Sequence, residues 1–441
     1  MRPMKIAPLI LTAMMANSVA IAHGDDRWRA QGTSADPSLM GSQGIYTPNA
    51  GFNLVKTNLG ELNLKIFSYL RYLNQTGLDA SYTNHYGIET DLDRRQDIQL
   101  NKVNIQFWGW LFDPKFRYLF YVWTNNTAQG LGAQVVVGGS LSYALSKHFV
   151  LGGGVGALPG VRSTEGSFPF WLTNDNRYIA DEFFRPSYTM GLWARGTIVD
   201  SLEYAVMLGN NLSQLGVDAG QLDASLSTLS AALKWYPTTG EYGLNDNFGD
   251  FENHRQAATR LGVHLTRSPE DRQGQPDTEA FENVQIRISD GAVIFEPGVF
   301  GLGIQLDNAT YNMAGLDAGV KYRGFSLEGE YYWRLVTDFQ GRGVENLTFD
   351  RLKDNGFQVQ ASAMVIPSRL QVYSGFSKVF GEYGDPWDLR LGANYHPWKN
   401  HAVRFNLEYI HLYKSPVGGL SLPYQVGGTG DILYANLEVN F

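Results

Sequence analysis

Ile432 to Phe441 reads I-L-Y-A-N-L-E-V-N-F, and its polarity alternates from one residue to the next. Leu433, Ala435, Leu437, Val439 and Phe441 share one face; Tyr434, Asn436, Glu438 and Asn440 share the other. Side chains of an extended strand point to opposite sides in turn, so one face meets an apolar medium and the other meets water. The same alternation organises much of the chain. Leu62, Leu64, Ile66, Leu70 and Tyr72 oppose Glu61, Asn63, Lys65, Tyr69 and Arg71. Val103, Ile105, Phe107 and Leu111 oppose Lys102, Asn104 and Gln106; Phe116, Tyr118, Phe120 and Val122 oppose Lys115 and Arg117. Phe325, Leu327, Tyr331 and Trp333 oppose Glu328, Glu330 and Arg334, and Val403, Phe405, Leu407 and Tyr409 oppose Arg404, Asn406 and Glu408.

Sixteen such segments begin near residues 61, 98, 115, 133, 148, 187, 201, 226, 256, 314, 325, 355, 369, 388, 402 and 431. Their connections alternate in length. Asp113-Pro114, Ser146-Lys147, Val199-Asp200, Arg323-Gly324, Pro367-Ser368 and Pro397 to Asn400 are short turns; 74–97, 158–186, 211–225, 267–313, 336–354 and 414–430 are long. The stretch 237–255 breaks the rule, being long on the short-turn side. Either it is an extension on that side or the strand count fails there. The apolar parity carries essentially no charge in the segment middles, as a lipid-facing surface requires, since Arg or Lys at mid-bilayer costs about 2–4 kcal/mol. Tyr69, Tyr72, Trp108, Trp110, Tyr118, Trp235, Tyr395 and Trp398 sit mainly near segment ends, where interfacial girdles form. The pattern predicts an all-β fold: a transmembrane antiparallel up-and-down β-barrel of about sixteen strands with long external loops.

The first residues add an export signal. Arg2 and Lys5 precede the apolar stretch Ile6 to Ala16, and Ala20-Ile21-Ala22 forms a small-x-small cleavage site. We expect residues 1–22 to be a signal peptide, 23–60 an N-terminal periplasmic segment and 61–441 the barrel. Net charge is −8, more acidic still without Arg2 and Lys5, which argues against a nucleic-acid partner. The chain has no cysteine, which excludes a disulfide scaffold, zinc-thiolate sites and a cysteine nucleophile.

Placing the polar parity inside yields a list of wall residues. The basic ones are Lys65, Arg71, Lys102, Arg117, Arg195, Lys234, Arg260, Lys321, Arg334, Arg390 and Arg404. The acidic ones are Glu61, Glu203, Asp317, Glu328, Glu330, Glu408 and Glu438. A basic lining lowers the barrier to anions; equally, the charges can pair across strands and simply solvate the lumen. The long connection 158–186 carries Arg162, Glu165, Asp175, Arg177, Asp181, Glu182 and Arg185, and is expected to fold inward as a constriction loop. Gly152, Gly154 and Gly156 are its expected seat, because wall positions without side chains admit another backbone.

Other chemistry is sparse. Asp91-Leu92-Asp93 and Asn245-Asp246-Asn247 lack the full EF-hand spacing, and no H-E-x-x-H, G-x-S-x-G or Walker pattern occurs. His396 and His401 flank a turn and are expected at an interface. No cofactor is called for, and an enzyme is not expected.

Three stretches resemble the phosphate-selective porin O and P family: Ala180 to Gly196, Gly249 to Thr266, and Asp317 to Arg334, the last a complete hairpin about Arg323-Gly324. The final Phe441 is similar to the terminal signature that barrel-assembly machinery recognises. The resemblance implies a trimeric porin in the outer membrane of a Gram-negative bacterium, set in lipid and passing small hydrophilic solutes by diffusion. It does not carry phosphate selectivity, because Glu328, Glu330 and Glu408 interrupt the basic wall. The alternatives are a channel specific for sugars or organic acids, with Trp123, Trp193 and Tyr332 as a stacking path; a barrel enzyme such as a phospholipase; and a plugged structural barrel.

Overall fold

A computed structural model describes residues 45–48, 50–125, 134–164, 170–212, 226–272, 285–418 and 424–441. Sixteen antiparallel strands run around a closed sheet. They are β1 (Gly60–Leu78), β2 (Gln96–Leu111), β3 (Asp113–Asn125), β4 (Gln134–Ser146), β5 (Phe149–Ala157), β6 (Tyr188–Val199), β7 (Leu202–Gly209) and β8 (Thr228–Trp235). The second half is β9 (Ala258–Asp271), β10 (Gln305–Tyr322), β11 (Phe325–Arg342), β12 (Leu352–Ile366), β13 (Leu370–Phe380), β14 (Trp387–Tyr395), β15 (Val403–Tyr413) and β16 (Gly430–Asn440). Each pairs with its chain neighbours, and β16 closes on β1 from Asn440↔Phe67 to Gly430↔Leu78. Closure leaves the sheet no free edge, which is what a backbone surrounded by hydrocarbon needs.

The expected faces are the observed ones. In β16, Leu433 and Leu437 point outward and exposed, while Ile432, Tyr434, Asn436, Glu438 and Asn440 are buried inside. In β9, Leu261, Val263 and Leu265 face out against Arg260, His264 and Thr266 within. Trp235, Tyr395 and Trp398 are exposed near the rim that bears Phe441, as a girdle requires. Tyr69 does not belong to that girdle: it is 1% exposed and faces inward. Trp110 also turns in, donating Nε1–H to Glu61 Oε2 at 3.0 Å.

Phe441 ends the chain within the seam. Its N–H donates to Ile66 O at 2.8 Å, and its ring meets Phe52 edge-on at 6.4 Å. Below that point the short strand Gly51–Lys56 takes over the edge of β1, pairing Phe52↔Leu64 and Lys56↔Glu61. Ile45–Thr47 folds back on it. Residues 1–44, including the expected signal peptide, lie outside the described residues.

Candidate functional site: a lumen crossed by inward segments

The connection 158–187 folds into the barrel. Leu158 N–H donates to Ser187 O at 2.9 Å, so its two ends are clamped together. Within it, Ile179–Phe184 forms one short helix, α1, with Asp181 and Glu182 in the first turn where the helix dipole favours them. Pro186 disfavours helical backbone at Arg185, which stops it. Ile179, Ala180, Phe183 and Phe184 are buried, and α1 packs on the far wall of β11 to β14. Glu165 lies outside the described residues.

The seat of this loop is not the glycine strip of β5. A Cβ on Gly152 would lie 2.4 Å from the indole of Trp193, the side chain that fills that space from the adjacent strand. The loop sits instead on Gly356 and Gly375 of the opposite wall. A Cβ there would lie 2.6 Å from the Phe184 ring and 2.0 Å from Tyr178 Oη.

An irregular backbone inside a barrel needs partners for its carbonyls. The wall supplies them. Arg71 Nη2 donates to Asn174 O at 2.8 Å, Arg390 Nη1 to Asn176 O at 2.8 Å, Asn394 Nδ2 to Leu172 O at 2.9 Å, and Arg404 Nη1 to Trp171 O at 2.6 Å. Backbone amides of α1 reach Ser377 Oγ and Asp388 Oδ1. Three of the expected wall cations, Arg71, Arg390 and Arg404, therefore hold the loop by its carbonyls.

Four of the other eight are matched by carboxylates, as are Arg390 and Arg404. Arg260 meets Asp317 at 2.7 Å and Asp246 at 2.6 Å; Arg334 meets Asp354 at 2.7 Å; Arg390 also meets Asp388 at 2.7 Å. Arg404 pairs with Glu438, and Lys102 with Asp175. Lys234 lies 3.6 Å from Glu203. Within the loop, Arg177 pairs with Asp181 and Glu182, and Arg185 with Glu182. Glu270, Asp354 and Asp388 are inward carboxylates that the sequence analysis missed, and they remove most of the basic surplus. Each lies near a strand end, where the alternation is hard to read. Lys65 is buried with its ammonium 5.5 Å from the Phe170 ring. Arg195 is half-buried on the inward parity, whereas Arg117 bends back to Pro114 O at 3.0 Å near the rim. Arg71, like Lys321, has neutral partners among the described residues: the oxygens of Asn436 and Asn174 and the rings of Tyr69 and Tyr434, both at 4.9 Å.

The long connection 236–257 resolves the anomaly in turn length. The strand count stands, and the segment turns up into the lumen. Tyr242, Asn247, Phe248 and Asp250 are buried. Lys321 Nζ donates to Tyr242 O and Asn247 O, both at 2.8 Å. Gly249 N–H donates to Glu328 Oε2 at 2.9 Å, and Phe248 N–H to Phe170 O at 3.2 Å, joining this segment to the loop. At the opposite mouth Ile286, Ile288, Val293, Ile294 and Phe295 are buried in one cluster with Phe183, Phe184 and Tyr332. Tyr332 stacks on Phe184 at 5.2 Å, and Trp193 covers Gly152, so neither forms an open stacking path. Trp123 packs with Tyr121 and Val136, under Lys102.

His396 is not interfacial. It is 1% exposed and lies against Phe251, and burial, with Arg404 nearby, pushes its pKa down to about 3. Asp250, Glu252 and His254 are close enough to share a metal ion. His254, however, is already bonded to Asp250 and lies 3.2 Å from Glu241. Burial works against its charge, but these two carboxylates outweigh burial and raise its pKa to about 9. The arrangement suits an imidazolium between two carboxylates rather than a metal ligand.

No family model matches this chain, and no curated protein sequence matches it. Solved structures do. The anion-selective porin from Comamonas acidovorans superposes with a TM-score of 0.53 at 10% identity, over 87% of this chain and 100% of that one. The chain shares its fold. The outer membrane channel DcaP of Acinetobacter baumannii gives 0.53 at 9% identity, over 89% and 100%. The outer-membrane expressed OmpT of Vibrio cholerae gives 0.52 at 10%, over 88% and 99%.

Proposed function

We propose that this chain is an outer-membrane porin, a passive diffusion channel for small hydrophilic solutes. The observation that carries this reading is the division of the sheet: a continuous apolar outer face around a charged inner wall that an inward loop crosses. The neighbours' descriptions as an anion-selective porin and an outer membrane channel support it. On this reading residues 1–22 direct export, 23–60 begin on the periplasmic side, and Phe441 presents the last strand to barrel-assembly machinery. The working unit is a homotrimer in Gram-negative outer-membrane lipid, akin to phosphate-selective porins in fold and sequence pattern. Transport by diffusion involves no cofactor and no catalytic residue.

The wall residues act mainly by holding the constriction. Anion preference then rests on the field of the buried wall cations held by neutral groups, Arg71 and Lys321, rather than on a general surplus of cations. The test is the reversal potential of the purified protein in planar bilayers under a salt gradient. Anion selectivity that falls in Arg71→Met supports the reading. Cation selectivity defeats the anion preference, and the lack of any conductance defeats the channel.

A further inference from the structure

The middle of the outer face is apolar among the described residues, and its charged positions lie toward the rims; two of them flank a groove. Four registers align two rows of side chains across β8 to β12. The inner row is Ala231, Leu265, Ala314, Trp333 and Asn355; the row beyond it is Leu229, Arg267, Asn312, Leu335 and Lys353. Ala231 and Ala314 are too small to fill the inner row, which leaves an open groove of about 690 Å³ between Leu265 and Trp333. Arg267 and Lys353 stand at its outer edge, both exposed. They lie three strands apart, roughly 14 Å at the spacing of a sheet. Neither side chain makes an ion pair within 4 Å among the described residues.

The aromatic residues place this groove in depth. Trp333 pairs across to Asn355, and Asn355 to Phe380; Phe357, Lys378 and Trp387 form the next row inward, and Phe376 lies one step deeper. That band marks the boundary between hydrocarbon and headgroups at the rim opposite Phe441. Arg267 and Lys353 are one register step beyond it, at headgroup level. Cations on a lipid face need an anionic partner, and here the apolar hollow lies directly beneath them.

We propose that this groove binds a phosphate-bearing lipid. The phosphate is held by Arg267 and Lys353, with Asn312 between them, and an acyl chain lies in the hollow over Ala231 and Ala314. Charge complementarity selects this occupant: an anionic headgroup meets the two cations while its acyl chain meets the apolar hollow beneath them. The inference rests on the barrel being embedded in lipid.

The test uses the full chain refolded into phosphatidylcholine vesicles, where protease protection first establishes embedding; failure at that step removes the proposed function, not merely the lipid site. The embedded protein, taken into detergent, is titrated with phosphatidic acid or phosphatidylcholine and the bound lipid is counted by native mass spectrometry. Preferential phosphatidic acid adducts are expected, weakened about five-fold for each of Arg267→Gln and Lys353→Gln. Ala314→Leu keeps both charges and fills the hollow, and is expected to lose the adduct as well. Equal binding of the two lipids, or unchanged binding in the double Gln variant, overturns the proposal. So does competition by inorganic phosphate as strong as that by the lipid, which would mark a free-anion site. A change of oligomeric state in these variants with lipid binding unaltered overturns it too, in favour of an interface between copies.

Discussion

Arg162 Nη2 lies 2.7 Å from Glu328 Oε1, and both side chains are buried. The same nitrogen donates to Asp246 O at 3.1 Å and to Asn247 O at 3.0 Å, and the guanidinium lies 4.1 Å from the Phe248 ring centre. One side chain thus ties the inward loop to the β11 wall and to the segment that rises from the opposite rim. Glu328 completes the junction by accepting from Gly249 N–H.

Removing one partner of a buried pair leaves a charge uncompensated, at about 3–5 kcal/mol. Arg162→Met is therefore expected to lower stability by that order and to enlarge single-channel conductance as both segments loosen. Arg162→Met with Glu328→Gln removes both charges and is expected to recover much of the stability while conductance stays high. Denaturant titration and bilayer recordings check the two halves separately; equal conductance in wild type and both variants refutes the junction's role.

Gly356 and Gly375 make room for Phe184 and Tyr178. Gly375→Val is expected to push the loop off the wall, costing about 1–3 kcal/mol as overpacking does, with larger and noisier currents. Gly152→Ala crowds the Trp193 indole rather than the loop and is expected to change the currents less. Recordings that rank these two variants the other way would return the loop's seat to β5.

His254 links pH to the rising segment. Its folded pKa of about 9 stands above the ordinary value near 6.5. Its contribution is therefore complete below about 6.5 and is lost as pH climbs through about 9. Burial alone would raise the pKa of Asp250, but bonds from His254 and from the His254 and Gly324 amides hold it below the usual carboxylate value. Its contribution disappears on acidification instead. Thermal midpoints from pH 6 to 10, measured for wild type and His254→Gln, should diverge at the acid end of that range and converge at the alkaline end.

Val263 faces out at mid-strand in β9, and its neighbour His264 faces in. Val263→Arg is expected to destabilise the folded barrel by about 2–4 kcal/mol in bilayers. Folding titrations in lipid vesicles measure this. A cost near zero would mean that this face does not meet lipid.

The strands, their number, their faces and the closing position of Phe441 were all readable from the chain. A strand's facing repeats every two residues and depends only on the medium on each side, so local sequence carries it. Ten residues of β16 are enough to separate Leu437 from Glu438. The seat of the loop was not readable. Gly152 and Gly375 look alike in sequence, but the neighbouring strand brings Trp193 to Gly152, whereas Tyr178 reaches Gly375 only because the loop crosses the lumen to the opposite wall. The inward course of 236–257 was equally hidden, since its length was visible but its partners Lys321, Arg162 and Glu328 lie far along the chain. The wall charges were identified by parity, but their work was not, because pairing depends on which side chains meet across the lumen. Period and polarity determined what faces lipid; long-range packing alone decided what crosses the lumen, because those contacts join residues that no local pattern relates.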